Sequence, residues 1–268
     1  MAELKTESIK DEYAEKPEEI LNEKDLNELK IIEKEIKVPA ETKTYKKPWE
    51  KEVFSMEAWN PKTKLGKRVK DGKIKNIDEI LDKGEKILEH EIVDSLLSLK
   101  KDLILIGQAK GKFGGGKRRA WKQTQRKTEE GNVLKFSAMS VVGDEKGHVG
   151  IGRGNSIETL PARAKAEINA KLNIFKITRK CSAFECECSE PHTIPFKVSG
   201  KSGSVGIKLI PAPQGTGLVV ANELKKVLML AGIKDIYSKT SGKTKTTMNL
   251  VKACIDALKK TNRSLKQK

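Results

Sequence analysis

An α+β protein made of two small sheet-and-helix units in tandem is expected here, on three observations. Helical and strand-like hydrophobic periods alternate between residues 77 and 262. Clusters of Gly, Pro, Asn and Asp punctuate those segments. A basic, glycine-rich run, Lys110 to Lys127, lies between two strand-like segments and is too poor in apolar residues to build a core of its own.

Residues 1–45 are rich in Glu and Lys. Leu21 to Lys37 has the apolar spacing of a marginal helix, but a flexible charged extension is the preferred reading. Such a segment is expected to be dispensable for the folded units. Residues 46–76 mix Trp49, Phe54 and Trp59 with many lysines and read as an extended arm with aromatic anchors, turning at Asn60-Pro61 and Asp71-Gly72.

From Ile77, Ile80, Leu81, Ile87, Leu88, Ile92, Val93, Leu96 and Leu97 recur at helical spacing, with Gly84 splitting the helix or ending a first short one. Strands near Leu103–Gln108 and Val133–Val142 flank the basic run. Gly143–Gly147 is a turn, and His148–Gly154 a third strand. Ser156–Phe175 reads as a helix with Thr159 as N-cap and Pro161 in its first turn. Helix, three strands, helix over residues 77–175 matches the double-stranded-RNA-binding type of fold.

Residues 176–192 form a Cys-rich linker. Thr193–Gly200 and Ser204–Pro213 then read as a hairpin, and Pro211–Gly217 as a loop. Ala221–Gly232 is a helix closed by Gly232, Ile233–Ser238 a strand, and Met248–Lys260 a final helix. Val251, Ile255 and Leu258 stripe that helix, with Cys254 beside them in the core. This C-terminal α+β unit covers residues 193–262, and 263–268 form a basic tail. Each unit is expected to hold its own core.

The chain has 268 residues and a net charge of +17. Residues 1–37 carry twelve acids and seven lysines, so the remainder carries +22, the whole chain's +17 less this −5. That excess favours a polyanionic partner. No apolar run reaches the ~18–20 residues of a membrane span, so no membrane partner is expected. The N-terminus lacks the apolar stretch of a signal peptide. Four cysteines, three of them within eight residues, do not suggest a secreted disulfide framework. A cytoplasmic location follows as the expectation.

The basic run concentrates Lys110, Lys112, Lys117, Arg118, Arg119, Lys122, Arg126 and Lys127 with no acid among them. Gly114, Gly115 and Gly116 let backbone approach a polyanion, and the cations neutralise phosphates. Phe113 and Trp121 are placed to stack on unpaired bases. Arg153, Arg163 and Lys165 join the candidate RNA-binding set. On their own, Arg163, Lys165 and Lys171 would read as a solvated helix face.

No catalytic motif survives inspection. Gly111 and Gly116-Lys117 have phosphate-loop spacing, but Arg118 stands where Ser or Thr must hold magnesium. Tyr237 occupies the first glycine position before Gly242-Lys243-Thr244. His90, His148 and His192 are far apart, and no nucleophile motif surrounds any of them. Cys181, Cys186, Cys188 and His192 supply four ligands spaced C-x4-C-x-C-x3-H. Zinc takes such a Cys3His set tetrahedrally, although the spacing is not a common finger spacing. Free reduced cysteines are the alternative.

A series of ordered motifs carries a family resemblance: GKFGGGKRR, VVGDEKGHVGIGRG, ETLPARAKAEINAKLNI, PHTIPFKVSGKSGSVGIKLIPAPQGTGLV and LAGIKDIYSKTSG. Together they resemble the small-subunit ribosomal protein S-five family. CSAFECEC and TKLGKRVKDGKI are similar to its archaeal branch. The resemblance covers roughly residues 46–262. It implies a double-stranded-RNA-binding-like N-terminal domain, a βαβ-type C-terminal domain and no enzymatic activity. It also implies binding to small-subunit ribosomal RNA near the decoding region and near the channel where messenger RNA enters. Ribosomal proteins S-three, S-four and S-eight would be neighbours, and translational accuracy would depend on the contacts. The family's RNA-reaching loop falls on Lys110 to Lys122. Pro-His-Thr occurs in the family without the cysteines, so a role for His192 in contacting RNA or capping a strand stays open. A free RNA-binding or RNA-unwinding factor acting on messenger RNA is the alternative function.

Overall fold

The computed structural model describes residues 59–109, 116, 118–181, 186, 188 and 190–266. The extension at 1–45, the arm up to residue 58, the end of the basic tail, and Lys110, Lys112, Phe113, Gly114, Gly115 and Lys117 lie outside the described residues.

From Trp59 onward the expected arm is folded rather than extended. Helix α1 (Lys64–Lys70) starts where the Thr63 hydroxyl accepts the Gly66 N–H at 3.0 Å. It buries Leu65 and Val69 with Trp59, whose carbonyl accepts a hydrogen bond from Lys70 Nζ at 2.6 Å. Helix α2 (Ile77–Lys83) ends on Gly84 at φ 73°, a left-handed cap that costs a glycine little. Helix α3 (Glu91–Leu96) follows. The buried sides of these short helices close over Ile174 as one apolar cluster.

The first sheet centres on the long strand β3 (Gly131–Gly143). One edge of β3 takes two partners in turn. Strand β1 (Lys100–Leu103) pairs with residues 140–143, and β2 (Trp121–Thr128) with residues 131–138. The strand expected at Leu103–Gln108 thus ends sooner, although Ile104 N–H still donates to the Met139 carbonyl at 3.0 Å. The far half of the basic run, expected to link two strands, is itself strand β2. The other edge of β3 takes β4 (His148–Ser156), which in turn pairs with β5 (Ile174–Lys176), all antiparallel.

Helix α4 (Thr159–Leu172) lies on one face of β3 and β4. Its N-cap is Glu158, not Thr159, and no side chain caps the first turn. Pro161 sits in that turn as expected. Glycines of β4 face Ala162, Ala166 and Ala170 of α4, all fully buried.

The second sheet has the order β6–β7–β9–β8, from β6 (Val198–Ser202), β7 (Val205–Pro211), β8 (Leu218–Val219) and β9 (Ile236–Ser241). β8 runs parallel to β9, and helix α5 (Asn222–Leu230) joins them, a βαβ unit. Gly232, at φ 76°, follows the α5 C-cap. Helix α6 (Thr247–Lys266) packs on β6 and β7, burying Val251, Cys254, Ile255 and Leu258.

The two sheets do not keep separate cores. Ile104, Met139, Val141 and Val149 of the first join Ile194, Leu209, Leu224, Leu228 and Leu258 of the second in one continuous cluster. Polar contacts reinforce the join. Arg179 donates to the Gly232 carbonyl at 3.0 Å and the Lys146 carbonyl at 2.6 Å, and Glu145 N–H donates to the Leu230 carbonyl at 3.0 Å.

Candidate nucleic-acid interface and metal centre

Cross-strand register sorts the expected RNA-binding residues onto two faces. Lys122 stands opposite Ser137, which stands opposite Asn155, so Arg153 and Lys122 share one face. Arg126 belongs to that face by alternation. Trp121 pairs with Ala138 and then Gly154, the face that carries α4. There Arg163 covers the Trp121 ring, its guanidinium carbon 4.9 Å from the ring centroid. One face of the indole is therefore occupied from within the protein. Arg163 Nε is buried without a hydrogen-bond partner, which leaves the stacked guanidinium one donor short. Lys165 is exposed on α4, and Lys127 is exposed on β2.

The base of the basic run is held firmly. Ala109 and Arg118 bridge, and Gly107 N–H donates to the Arg119 carbonyl at 2.9 Å. A side chain on Gly107 would collide with the Trp121 carbonyl, so the neck closes backbone against backbone. Gly116, at φ 94°, sits in a conformation that suits glycine. Arg118 Nη1 reaches across to the Lys245 carbonyl at 3.2 Å. Arg118, Arg119, Lys122 and Lys245 then share the wall of a cleft of about 850 Å³. Lys245 was not foreseen: it lies 127 residues from Arg118, and only the packed sheets bring them together.

The second constellation converges as its spacing suggested. The three sulfurs and the His192 imidazole lie within 4.8 Å of one another. Cys186 Sγ is 2.9 Å from Cys188 Sγ and 3.6 Å from His192 Nε2, and Cys188 Sγ is 3.5 Å from Cys181 Sγ. Ligands about 2.3 Å from a shared tetrahedral ion would stand roughly 3.8 Å apart, so the set fits zinc. His192 is 1% exposed, and its Nδ1 lies 2.8 Å from Asp235 Oδ2. A carboxylate only accepts, so Nδ1 carries a proton toward Asp235, and Nε2 is the nitrogen that faces the sulfurs. Asp235 Oδ1 also accepts the Gly217 N–H at 2.8 Å, tying the cluster to the Pro211–Gly217 loop. The Cys188 thiol beside it, with backbone N–H groups of Gln214 and Cys188, pulls Cys186 down to about 6. The same pairing pushes Cys188 up to about 12. Asp235 escaped the sequence reading because nothing in the spacing links it to a histidine 43 residues away.

No helix among the described residues is long and apolar enough to cross a membrane. Cys254 is buried in the core, and burial pushes its thiol up to about 12, as expected of an inert packing residue.

The sequence profile for "Ribosomal protein S5, N-terminal domain" matches residues 120–178, and that for "Ribosomal protein S5, C-terminal domain" matches residues 200–267. The small ribosomal subunit protein uS5 of Nanoarchaeum equitans is 50% identical over 209 residues, 78% of this chain and 90% of the relative. That of Thermofilum pendens is 47% identical over 204 residues, covering 76% and 94%. That of Methanococcus maripaludis is 44% identical over 223 residues, covering 83% and 91%.

Proposed function

As this chain belongs to the ribosomal protein S5 family, we propose that it is built into the small ribosomal subunit on ribosomal RNA, near the decoding region and the channel through which messenger RNA enters. The family is structural rather than enzymatic, and it acts in the ribosome of the cytoplasm. The observation that carries the RNA reading is the basic run rooted between Ala109 and Arg118 and continued along β2, with no acid before Glu129. Arg118, Arg119, Lys122, Arg126 and Lys127 are its described cations, Arg153 of β4 shares the face of Lys122 and Arg126, and these side chains neutralise phosphates. Ribosomal proteins S-three, S-four and S-eight are the expected neighbours, and weakening this attachment would change decoding accuracy.

Cys181, Cys186, Cys188 and His192 hold a structural zinc ion in this reading, with Asp235 orienting the imidazole. Bound zinc would staple a segment with few apolar residues of its own. Elemental analysis of purified protein tests it: one zinc per chain is expected, and metal-free, fully folded protein would overturn it.

Sedimentation of cell extract tests the main reading. The protein should run with small subunits and whole ribosomes. A large free pool bound to messenger RNA would instead support a factor acting off the ribosome.

A further inference from the structure

The face of the first sheet that α4 leaves uncovered changes character along its length. On β3, Met139 and Val141 of this face are buried in the shared core, and on β4 so is Val149. One step toward the hairpin, the same rows continue as Ser137 and Lys135 on β3 and as Arg153 and Asn155 on β4, with Lys122 and Thr124 beside them on β2. Alternation is kept, but apolar residues give way to cations and hydrogen-bonding groups at the edge of the shared core. Across from this polar half stand the first turns of α6. Between them lies a cleft of about 390 Å³, bounded on the helix side by Thr246, Asn249 and Lys252.

We propose that this cleft is a second RNA-backbone site, distinct from the glycine loop, in which Lys135 of the first sheet and Lys252 of α6 grip the same phosphate run. The proposal rests on the RNA-binding reading above and adds to it a contact made jointly by both halves of the chain. Lys122, Lys135, Arg153 and Lys252 all line the cleft, and no carboxylate among the described residues does. Elsewhere this protein offsets its lysines: Lys171 with Asp94 at 2.6 Å, Lys176 with Asp78 at 2.7 Å, Lys226 with Asp102 at 3.1 Å. Lys122, Lys135 and Arg153 form no ion pair among the described residues. Four cations around one cleft repel one another, and an anion entering it relieves that repulsion.

The chemistry favours nucleic acid over an acidic protein. Lys and Arg with Thr, Ser and Asn are the donors that hold phosphate and ribose. A protein interface would be expected to bring aromatic or aliphatic anchors, and Met248 is the one apolar residue of this cleft among the described residues. The cleft also shares Lys122, Thr246 and Met248 with the larger one under Arg118 and Arg119, so a single strand can pass from one to the other.

The test uses the full chain and a small-subunit ribosomal RNA transcript. Each phosphate that the protein no longer neutralises should flatten the slope of log affinity against log salt by about 0.7–0.9. K135Q combined with K252Q should therefore flatten it by about 1.5, with an unchanged melting temperature. The triple replacement of Lys117, Arg118 and Arg119 by Ala, at the glycine loop, should flatten it by about two to three. No salt-dependent binding by the unaltered chain would sink the RNA reading itself. Normal binding with an unchanged slope in the K135Q, K252Q variant would overturn this inference alone. In assembled subunits, Lys135 and Lys252 should resist acetylation until ribonuclease is added. Protection that survives ribonuclease would mean a protein covers the cleft, and free acetylation would mean that nothing does; either result overturns the proposal.

Discussion

Gly152 of β4 lies directly under Ala166 of α4, so close that a Cβ on the glycine would overlap the alanine carbonyl oxygen. The relationship repeats along the strand. Gly150 meets Ala170, and Gly154 meets Ala162. Three glycines at strand period two thus receive three alanines at helix period four, and each of those alanines is fully buried. Helix and sheet approach backbone to backbone, with no side chain between them to yield.

A methyl group at Gly152 must therefore push α4 away from the sheet. Gly152→Ala is expected to cost about 2–3 kcal/mol, at or above the upper end for overpacking a core. Urea unfolding should show a lower midpoint with an unchanged slope. A midpoint within error of the parent would show that α4 shifts freely and that the glycine–alanine fit is not required.

Met139 ties the first sheet to the shared core, 1% exposed among residues of both halves. Met139→Ala should cost about 2–5 kcal/mol. It should lower the stability of the C-terminal half as much as that of the N-terminal half, in one transition. Hydrogen exchange read separately in β3 and in α6 would check this. Slowly exchanging amides in α6 left untouched by the substitution would restore the expectation of two independent cores.

That expectation shows where the sequence stops informing. Alternation along Val133–Val142 says which residues turn inward, but not which element covers them. The covering residues, such as Leu224 and Leu228, are more than 80 positions away in the chain. Gly84 and Gly232 were legible because helix ends demand left-handed backbone, and both have it. β2 was hidden because Trp121–Thr128 is polar on both faces, leaving no period to read. Gly150, Gly152 and Gly154 lack the spacing of a dinucleotide-binding motif, and the helix lying on them explains why they recur. The cysteines and His192 were legible from local spacing alone. Asp235 was not, nor were Lys245 and Lys252.

His148 donates from both ring nitrogens, Nδ1 to Asp144 at 2.6 Å and Nε2 to Asp78 at 2.7 Å. Two carboxylates therefore favour the imidazolium. Burial opposes that charge, but Asp144 and Asp78 outweigh it and raise the histidine above 6.5. Against the same opposition from burial, hydrogen bonds to Lys176 and His148 hold Asp78 below 3.8, and His148 holds Asp144 below it. The raised histidine contributes stability that is fully present below about 6.5 and lost as pH rises through its folded value. The depressed carboxylates contribute stability present above 3.8 and lost as pH falls through their folded values. The stability advantage over His148→Gln should then be largest between about pH 4 and 6.5 and shrink at higher pH. Denaturation midpoints measured across that range would show it. A constant difference from pH 5 to 9 would mean that folding leaves the histidine's affinity for its proton unchanged.

Asp235 should matter to the cysteine cluster without touching a sulfur. Its Oδ2 fixes the His192 tautomer, and its Oδ1 holds Gly217. Asp235→Asn keeps the shape and the Gly217 bond but removes the carboxylate that, in the zinc reading, makes His192 a better ligand. Zinc affinity, measured by competition with a chromophoric chelator, should fall about 10–100-fold, the usual cost of losing a partner behind a metal-bound histidine. His192→Ala should cost more, because it removes a ligand outright. Cys254→Ala should leave zinc affinity unchanged, since that thiol is enclosed in α6 packing away from the cluster. If the Asn variant bound zinc as tightly as the parent, the Asp235 carboxylate would serve only to pack the loop. If the Cys254 variant lost zinc as well, the measurement would be reporting unfolding rather than the site.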